Sequence, residues 1–543
     1  MIVDLSQDEM LSDEDAFLLD IDDDNLLNVS DKGGISEPDT IVSDGLSDRY
    51  ERDIESEKQK DVALSSGDML DDDEVPVGSV HDKTEIDDNK FSYEREKRDK
   101  RIDGKCYCNN GNDNNINVNI NITKPQEPFQ PGATPENNNR RYLAMNNIGC
   151  ITTTFHETYS TITVEFHDQS YNRGYNLRDE FNYSMACLDK DGALYAVESS
   201  EMSDSQANPS VLFYKPQETW ASKSEWTVTL PQGEDIIAIA LCSQGIIAAT
   251  STGVIRIFSL CGIQTYILAL TSVVCMAGYD ELVLIAYHAS VGYKGSQNLG
   301  YILYNIRTNE ILQKDILSIT KGSTLKWMGF STNGLPAIFD SKGVLTILHH
   351  HRQTNQARWV PILNVLSNRK EEEINWTYWP VWFTETTLFC FICKSEAYPQ
   401  IPRPAFDEII LKVPLLNLDR QTGQFEETLV RNSLLATFEF EEAMAKNELD
   451  KARQNIKMKN KEMDKALLEM IHLACKEEKQ QRALDLSKLL IKLKSLESAI
   501  KIARFNNCPI LADKICQFKE AKVVELRQLP QSKTGNSSTT VLE

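Results

Sequence analysis

Short runs of alternating apolar and polar residues, separated by turns, occupy the chain from about residue 127 to residue 416. A glycine followed by a strand-like segment recurs in this region, and such a glycine supplies the positive φ of a tight turn. Intervals of 43, 61, 47 and 43 residues separate the repeats, which begin at Gly149, Gly192, Gly253, Gly300 and Gly343. Repeats of about 40–50 residues with several strands each are typical of propeller blades.

A sixth repeat lacks the glycine. It contains the segment LFCFICK, directly after Thr387, and a last strand is predicted in EIILKVPLL at 408–416. We therefore predict a six-bladed β-propeller over residues 126–420, with five or seven blades as alternatives. The long interval between Gly192 and Gly253 predicts one elaborated connection.

The hydrophobic period changes after about residue 424, where helix-forming residues dominate and Gly and Pro nearly vanish until Pro509. Within 462–475, the apolar residues recur at the spacing of one helix face. The predicted helices are 424–446, 448–478, 479–494, 495–506 and 509–521. About 100 helical residues make a short bundle rather than a solenoid, so we predict a helical bundle over 421–527 and a polar, disordered tail over 528–543.

The first 125 residues have too few apolar clusters to build a core. The first 24 hold ten acidic side chains and no Lys or Arg, and an Asn-rich run follows at about 109–123. Such composition is typical of disorder. The fold class is thus mainly β with α: a disordered acidic tail over 1–125, then the propeller, then the bundle. In the tail segment DEDAFLLDIDDD, acidic residues surround an apolar cluster, as in a docking peptide, and our hypothesis is that it competes for the bundle.

Charge and cysteine usage restrict the classes of partner. The net charge of −24 disfavours sequence-independent DNA binding by the whole chain, and direct DNA binding is left open. Twelve scattered cysteines indicate reduced thiols in an intracellular protein. The amino terminus lacks a secretory pattern, and no apolar run is long enough to span a membrane.

The residues that resemble metal or catalytic motifs have plainer explanations. Cys390 and Cys393 are three apart on a predicted strand and point to opposite faces, which suits metal chelation poorly. Cys106 and Cys108 have no partner pair, and the run His349–His351 is expected at a solvated blade edge. The tryptophans at 376, 379 and 382 are expected in the core. We predict that the protein binds no metal and no cofactor and that it is not an enzyme.

The helical region contains a candidate binding surface. Leucines and isoleucines wrap most of the segment 484–493, so it is either a central core helix or one side of a groove. The groove residues predicted from this periodicity are Leu486, Leu489, Leu490, Leu493, Ala512, Ile515 and Cys516. Basic residues flank them, namely Lys488, Lys492, Lys494 and Lys501, and suit an acidic amphipathic peptide.

Several segments together resemble the chromosome transmission fidelity protein 4 family, whose metazoan members are called acidic nucleoplasmic DNA-binding proteins. The resemblance covers roughly 127–521. The segments are TITVEFHD (161–168), LPQGEDIIAIAL (230–241), SVVCMAGYDELVLIAYH (272–288), LKWMGFSTNGLPAIFDSKGVL (325–345), IPRPAF (401–406) and EIILKVPL (408–415).

This resemblance implies a nuclear, chromatin-associated replisome adaptor that forms a homotrimer through its propellers. It also implies that each bundle docks short helical motifs of client proteins, including the catalytic subunit of DNA polymerase α and the GINS complex of the replicative helicase. A role in sister-chromatid cohesion follows from the same family. The family's N-terminal WD-repeat propeller and its metazoan HMG box have no counterpart here, so we expect the chain to begin in the acidic linker, as a fragment or a truncated form.

Two other functions remain as alternatives. Coat and ribosome-assembly scaffolds also join propellers to helices, although they usually carry long helical solenoids. A propeller enzyme would need convergent His, Asp or Glu residues at the inner strand ends. The residues after the repeat-leading glycines include no such acidic set: they are Cys150, Ala193, Val254, Tyr301 and Val344.

Overall fold

The computed structural model describes residues 122–528, apart from 171, 201–207, 218, 220–222, 368, 370–372 and 417. The predictions for most of the acidic tail and for the tail after residue 528 lie outside these residues. So do the segment DEDAFLLDIDDD and the pair Cys106 and Cys108. Within the described part of the chain, the fold is a six-bladed β-propeller followed by five helices, as predicted.

The first three blades are four-stranded antiparallel sheets in which the strands pair in sequence order. Blade one contains β2 (Arg140–Met145), β3 (Gly149–Phe155), β4 (Ser160–Phe166) and β5 (Tyr175–Asp179). Blade two contains β6 (Met185–Asp189), β7 (Gly192–Val197), β8 (Val211–Pro216) and β9 (Trp226–Thr229). Blade three contains β10 (Ile236–Cys242), β11 (Gly245–Thr250), β12 (Val254–Phe258) and β13 (Gln264–Ala269).

The last three blades are less uniform, because blade four gains a strand and blade six has only three. Blade four contains β14 (Val273–Tyr279), β15 (Leu282–Tyr293), β16 (Ser296–Asn305) and β17 (Glu310–Ile316), and β1 (Ile122–Thr123) pairs with the end of β15. Blade five contains β18 (Leu325–Phe330), β19 (Pro336–Asp340), β20 (Val344–His349) and β21 (Arg358–Asn364). Blade six contains β22 (Thr377–Phe383), β23 (Thr387–Cys393) and β24 (Asp407–Ile410).

The core lies between neighbouring blades. Blades contact each other through their first strands, which therefore surround the axis. The second strand of blade three, GIIAAT, is buried at every position, whereas its outermost strand, QTYILA, is mostly exposed. This gradient from axis to rim explains why the sequence pattern is strongest in the inner strands.

The repeat-leading glycines do not occupy equivalent positions. Gly149 and Gly192 begin second strands, Gly253 and Gly343 stand just before third strands, and Gly300 lies inside one. Both Gly253 and Gly343 have positive φ, at 78° and 73°, as the tight turn requires. The 61-residue interval is therefore long for two reasons. It runs from a second strand in blade two to a third strand in blade three, and it includes the 198–210 connection. One elaborated loop does not account for all of it.

Aromatic side chains close the ring between blades six and one. Tyr142 of blade one packs in one cluster with Phe391 of blade six, and its hydroxyl donates a 2.8 Å hydrogen bond to the Gln400 carbonyl. Trp382 stacks on Phe389 at 4.6 Å between ring centroids. Trp379 and Trp382 are partly buried and pack against this cluster. Trp376 is also partly buried, but it lies outside the cluster, under the Lys394 ammonium. The three tryptophans thus border the core and are not its buried members.

A segment before blade one, residues 124–135, crosses the inner strands of the propeller. The Gln126 amide pairs with the backbone of Leu325 in blade five, through bonds of 2.7 and 2.9 Å. The Gln130 amide does the same with Ile239 in blade three, at 2.8 and 3.2 Å. These amides satisfy backbone groups on inner strand edges that have no neighbouring strand. The predicted start of the folded region at 126 therefore falls inside this crossing segment.

Five helices follow the propeller: α1 (Gln421–Lys446), α2 (Leu449–Lys476), α3 (Gln480–Ser487), α4 (Leu493–Phe505) and α5 (Pro509–Gln528). α1 and α2 form a long antiparallel pair, and α4 and α5 a shorter one. Asn447, with a φ of 55°, ends α1 in the left-handed conformation, and its backbone N–H bonds the helix carbonyls. Pro509 begins α5, where its missing N–H is tolerated.

Candidate partner-docking surface

Helix α1 fixes the bundle to the propeller. Phe438 is 3% exposed and belongs to the core cluster of blades five and six, beside Phe383 and Leu411. Leu435 lies one turn away and is also buried. Full burial of such side chains contributes about 1.5–3 kcal/mol each, so the bundle has a defined position on the blades.

Polar contacts extend this joint to the histidine run. His351 is fully buried and its Nε2 lies 3.0 Å from Glu442 Oε1 of α1, while His350 Nδ1 lies 2.5 Å from Glu441 Oε1. The prediction of a solvated blade edge is therefore wrong. The carboxylates that cover the run come from about 90 residues further along the chain, where local sequence gives no sign of them.

Arg352 completes the joint with paired carboxylates. Its guanidinium donates to Glu442 of α1 at 2.8 Å and to Glu281 of blade four at 3.1 Å. Burial by itself would raise the pKa of Glu442, but the hydrogen bonds from His351 and Arg352 outweigh it and lower the pKa to about 2. Glu442 is therefore ionised at neutral pH and binds Arg352 as a charge-assisted pair.

A buried carboxylate shapes the part of the bundle that carries the predicted groove. Asp464 of α2 is 2% exposed and accepts the backbone N–H groups of Ile491 and Lys492, at 2.8 and 3.0 Å. It also accepts the Ser495 hydroxyl at 2.6 Å. An acidic side chain at a helix N-terminus satisfies the free N–H groups there. Asp464 therefore holds the turn 488–492 and starts α4.

This turn corrects two predicted elements. The expected helix 479–494 ends at Ser487, and the expected helix 495–506 begins at Leu493. The segment 484–493 looks apolar on all sides because it contains a helix end, a turn and a helix start. It is therefore not one continuous helix.

The seven predicted docking residues fall into two groups. Leu490, Ala512 and Ile515 are at most 1% exposed. These three belong to the bundle core, because the turn directs Leu490 inwards and α5 packs its small face on α4. They lie beneath the bundle surface and are not accessible to a partner. The other four keep part of their side chains accessible: Leu486, Leu489, Leu493 and Cys516.

We name these four residues the α3–α5 surface. Leu489, at the centre of the turn, is 50% exposed. Lys522 of α5 donates from Nζ to the Leu490 carbonyl at 2.8 Å, which ties α5 to the turn. Lys519 lies 2.5 Å from Glu497 of α4. These bonds hold α5 against the turn and against α4, so the partly exposed leucines lie on a fixed backbone.

The α3–α5 surface lies in a basic segment of a chain that is acidic as a whole. Residues 480–524 contain nine Lys or Arg and four Asp or Glu, whereas the whole chain carries −24. Lys488, Lys494 and Lys501 are exposed. Half-exposed leucines with surrounding positive charge suit an acidic amphipathic helix.

The remaining candidate motifs take structural roles. Cys390 and Cys393 lie in β23 but belong to different core clusters, as strand alternation predicts. Burial raises the pKa of Cys390 to about 12 and that of Cys393 to about 11. Over the described residues, no three His, Cys, Asp or Glu side chains are arranged to hold a metal. None of the described helices is long and apolar enough to cross a membrane.

The residues that most constrain the site were not identified from sequence. Asp464 lies at a polar position of α2, and nothing near it in the sequence marks it as a buried cap. Glu441 and Glu442 belong to the short acidic run FEFEE of α1, which resembles a solvated face. A sequence signal existed only for the turn, where Lys488 and Lys492 interrupt the leucines.

Two protein families match the chain. Residues 127–415 match the family described as "Minichromosome loss protein, Mcl1, middle region". Residues 423–525 match "DNA polymerase alpha-binding protein Ctf4, C-terminal domain". The first match ends after the last propeller strand, and the second begins in the first turn of α1.

Curated relatives from distant eukaryotes are similar. Minichromosome loss protein 1 of Schizosaccharomyces pombe is 34% identical over 79% of this chain and 53% of its own length. WD repeat and HMG-box DNA-binding protein 1 of Homo sapiens is 33% identical over 74% of this chain and 35% of its own. The DNA polymerase alpha-binding protein of Saccharomyces cerevisiae is 26% identical over 73% of this chain and 48% of its own. The chain thus spans about half or less of these relatives.

Likeness to solved structures is low. HIRA(644–1017) aligns with a TM-score of 0.32 and 11% identity, over 63% of this chain and 96% of that one.

Proposed function

Because the chain belongs to the family of the minichromosome loss protein Mcl1 and the DNA polymerase alpha-binding protein Ctf4, we propose that it is a non-enzymatic adaptor in DNA replication. In this role it binds DNA polymerase α through a short amphipathic helix that docks on the α3–α5 surface. The catalytic subunit of the polymerase is the expected carrier of that helix. The protein acts in the nucleus.

One observation carries this proposal: a half-exposed leucine, Leu489, with partly exposed leucines beside it on a basic, fixed backbone. Leu489 is 50% exposed although its neighbour Leu490 is buried. Asp464 and Lys522 hold the turn between them, so the surface needs little reordering when a partner binds. A preformed surface lowers the entropic cost of association.

The finer proposal is a chromatin-associated homotrimer that forms through the propellers. It binds GINS and other proteins with short helical motifs at its three bundles, couples helicase to polymerase, and supports sister-chromatid cohesion. Linked sites raise effective concentration, so weak docking at each bundle is enough to retain a client. Phe438 and the Glu442–Arg352 pair support this arrangement because they keep each bundle in register with its propeller.

The propeller contributes structure rather than catalysis in this proposal. Residues 124–135 bind the inner strands where a propeller enzyme would place its substrate. The alternative of a coat or ribosome-assembly scaffold receives no support from the five helices, which form a compact group instead of a long solenoid.

The docking proposal is tested by exchanging one exposed leucine for a charge. We expect Leu489→Glu to weaken binding of the polymerase α catalytic subunit at least tenfold in a calorimetric titration. Loss of the apolar contact and repulsion from an acidic helix both contribute. Unfolding free energy should change by less than about 1 kcal/mol, because the side chain is half exposed.

Ile510→Glu is the matched control. Ile510 is 67% exposed and also lies on α5. It precedes Lys522 by twelve residues, or about 18 Å of helix. Equal affinity of Leu489→Glu and the unaltered chain would contradict the docking proposal, as would an equal loss in Ile510→Glu.

The trimer is tested by light scattering coupled to size exclusion. We expect about three times the mass of one chain at micromolar concentration, independent of the Leu489→Glu exchange. A monomer would contradict the trimer but leave the docking proposal standing.

A further inference from the structure

The α3–α5 surface has a complementary sequence within the same chain. Its surroundings, residues 480–524, carry nine basic and four acidic residues. Residues 1–24 carry ten acidic residues and no basic ones. The two segments therefore carry opposite net charge, and this charge favours their association.

The acidic segment also contains apolar residues in a usable pattern. In DEDAFLLDIDDD, Phe17, Leu18 and Ile21 fall on one face if the segment is helical. Acidic residues lie on both sides of this cluster, at 13–15 and 20–24. These residues lie outside the part of the chain that the structure describes.

We propose that residues 13–24 bind the α3–α5 surface and compete there with client helices. The apolar face of the segment covers the half-exposed leucines, and its carboxylates face the surrounding lysines. The inference rests on the proposed function, because it assigns a competitor to the same surface. It goes further in making client binding dependent on the protein's own amino terminus.

Chain length permits this contact. Residue 24 precedes the first described residue, Ile122, by 98 positions. A chain of that length spans at most about 340 Å, which does not prevent contact. Attachment to the same chain places the segment at an effective concentration on the order of 0.1–1 mM. A segment whose isolated affinity is only tens of micromolar would then occupy the surface for much of the time.

This contact differs from simple charge attraction because it also buries apolar area. Exposed charges alone are strongly screened at physiological salt. Leu489, by contrast, offers apolar area that is buried only when a partner covers it. The proposal therefore needs both the apolar residues of the segment and its charge, and removal of either should release the surface.

The experiment compares two full-length proteins that differ in three residues of the segment. One is the unaltered chain, and the other carries Phe17→Ser, Leu18→Ser and Ile21→Ser, which leave every charge in place. The probe is a fluorescent peptide of residues 11–26, titrated by anisotropy. Circular dichroism and thermal melting should be the same for both proteins, because the exchanges lie outside the propeller and the helices.

We expect the peptide to bind the substituted protein and to bind the unaltered protein at least threefold more weakly, since the attached segment occupies the surface. Adding Leu489→Glu to the substituted protein should weaken the peptide at least tenfold, whereas Ile510→Glu should not. A peptide with the same residues in scrambled order should not bind. Equal binding to both full-length proteins would overturn the proposal, as would no binding to the substituted protein or indifference to Leu489→Glu.

The polymerase titration distinguishes failure of this inference from failure of the proposed function. If polymerase α loses affinity in Leu489→Glu while the peptide result is negative, the docking function stands and the competing segment is wrong. If polymerase α is also indifferent to Leu489→Glu, the surface itself is wrongly assigned. If both are confirmed, the three serine exchanges should also strengthen polymerase binding by at least about threefold.

Discussion

The propeller and the helical bundle protect their backbones in different ways. In the propeller, every blade pairs its consecutive strands antiparallel, and whole strands such as β11 are buried. In the bundle, one carboxylate, Asp464, holds the turn that joins α3 to α4. The propeller distributes its stability over many equivalent contacts, whereas this part of the bundle depends on a few. Such concentrated support lets leucines remain half exposed on a fixed turn.

The joint between the two regions combines both kinds of contact. Phe438 extends the apolar core of blades five and six, and the pair of Glu442 with Arg352 adds buried charge. Paired buried charges seldom raise stability much, but removal of one partner is costly. We therefore expect the apolar contact to determine how strongly the regions are coupled, and the charges to fix their orientation.

The largest effect should follow from breaking the joint. We expect Phe438→Ala to lower the unfolding free energy by about 3–5 kcal/mol, because a buried aromatic leaves a cavity that the blades cannot fill. Denaturant unfolding should also separate into two transitions, one for each region. Phe505→Ala, which changes an aromatic that is 52% exposed in α4, is the control. A small loss of unfolding free energy in Phe438→Ala, with a single unfolding transition, would contradict the claim that the apolar contact couples the two regions.

A smaller effect, confined to the bundle, should follow from loss of the buried cap. We expect Asp464→Ala to cost about 2–4 kcal/mol, since two backbone N–H groups and a hydroxyl lose a charged acceptor. Hydrogen exchange should become faster in 488–505 and remain unchanged in the blades. Asp464→Asn, which keeps one of the two acceptor oxygens but loses the other and the charge, should cost less than Asp464→Ala. Uniform acceleration across the propeller would contradict the separation of the two regions.

The smallest expected effect is a pH dependence at the joint. Burial, with smaller effects from His350 and other neighbours, lowers the pKa of His349 to about 3. The unfolded chain binds this proton near pH 6.5, so stability is fully present above 6.5 and is lost as the pH falls towards 3. The groups that face this region are His350, His351, Arg352, Arg358, Glu441 and Glu442.

This loss should amount to about 1 kcal/mol between pH 7 and pH 5.5. Unfolding free energies of the unaltered chain and of His349→Gln measure it, and the variant should have the shallower slope. Parallel curves for the two proteins would show that His349 does not titrate with unfolding.

Sequence predicted the two regions to different depths for a physical reason. Propeller blades repeat, so six weak local patterns reinforce each other, and the count of six was recoverable without Gly at the sixth. The strand position of each glycine was not recoverable, because Gly192 begins the second strand of its blade and Gly253 stands just before the third strand of its own. A repeat reveals its period more readily than its register.

The site was predicted less well because its shape depends on contacts between distant residues. The apolar residues of 484–493 divide into core and surface, and this division depends on Asp464, more than 20 residues earlier. The histidine run was misplaced for the same reason, since Glu441 and Glu442 lie far along the chain. Periodicity reports burial along one element and carries no information on a carboxylate that arrives from another.

The most direct test of the account is hydrogen exchange of the full chain with and without the purified polymerase α catalytic subunit. The account predicts added protection in the turn 488–492 and in the part of α5 around Cys516 to Val524, with the blades unchanged. Protection confined to the propeller blades, with the turn and α5 unaffected, would contradict the claim that the bundle surface holds the partner.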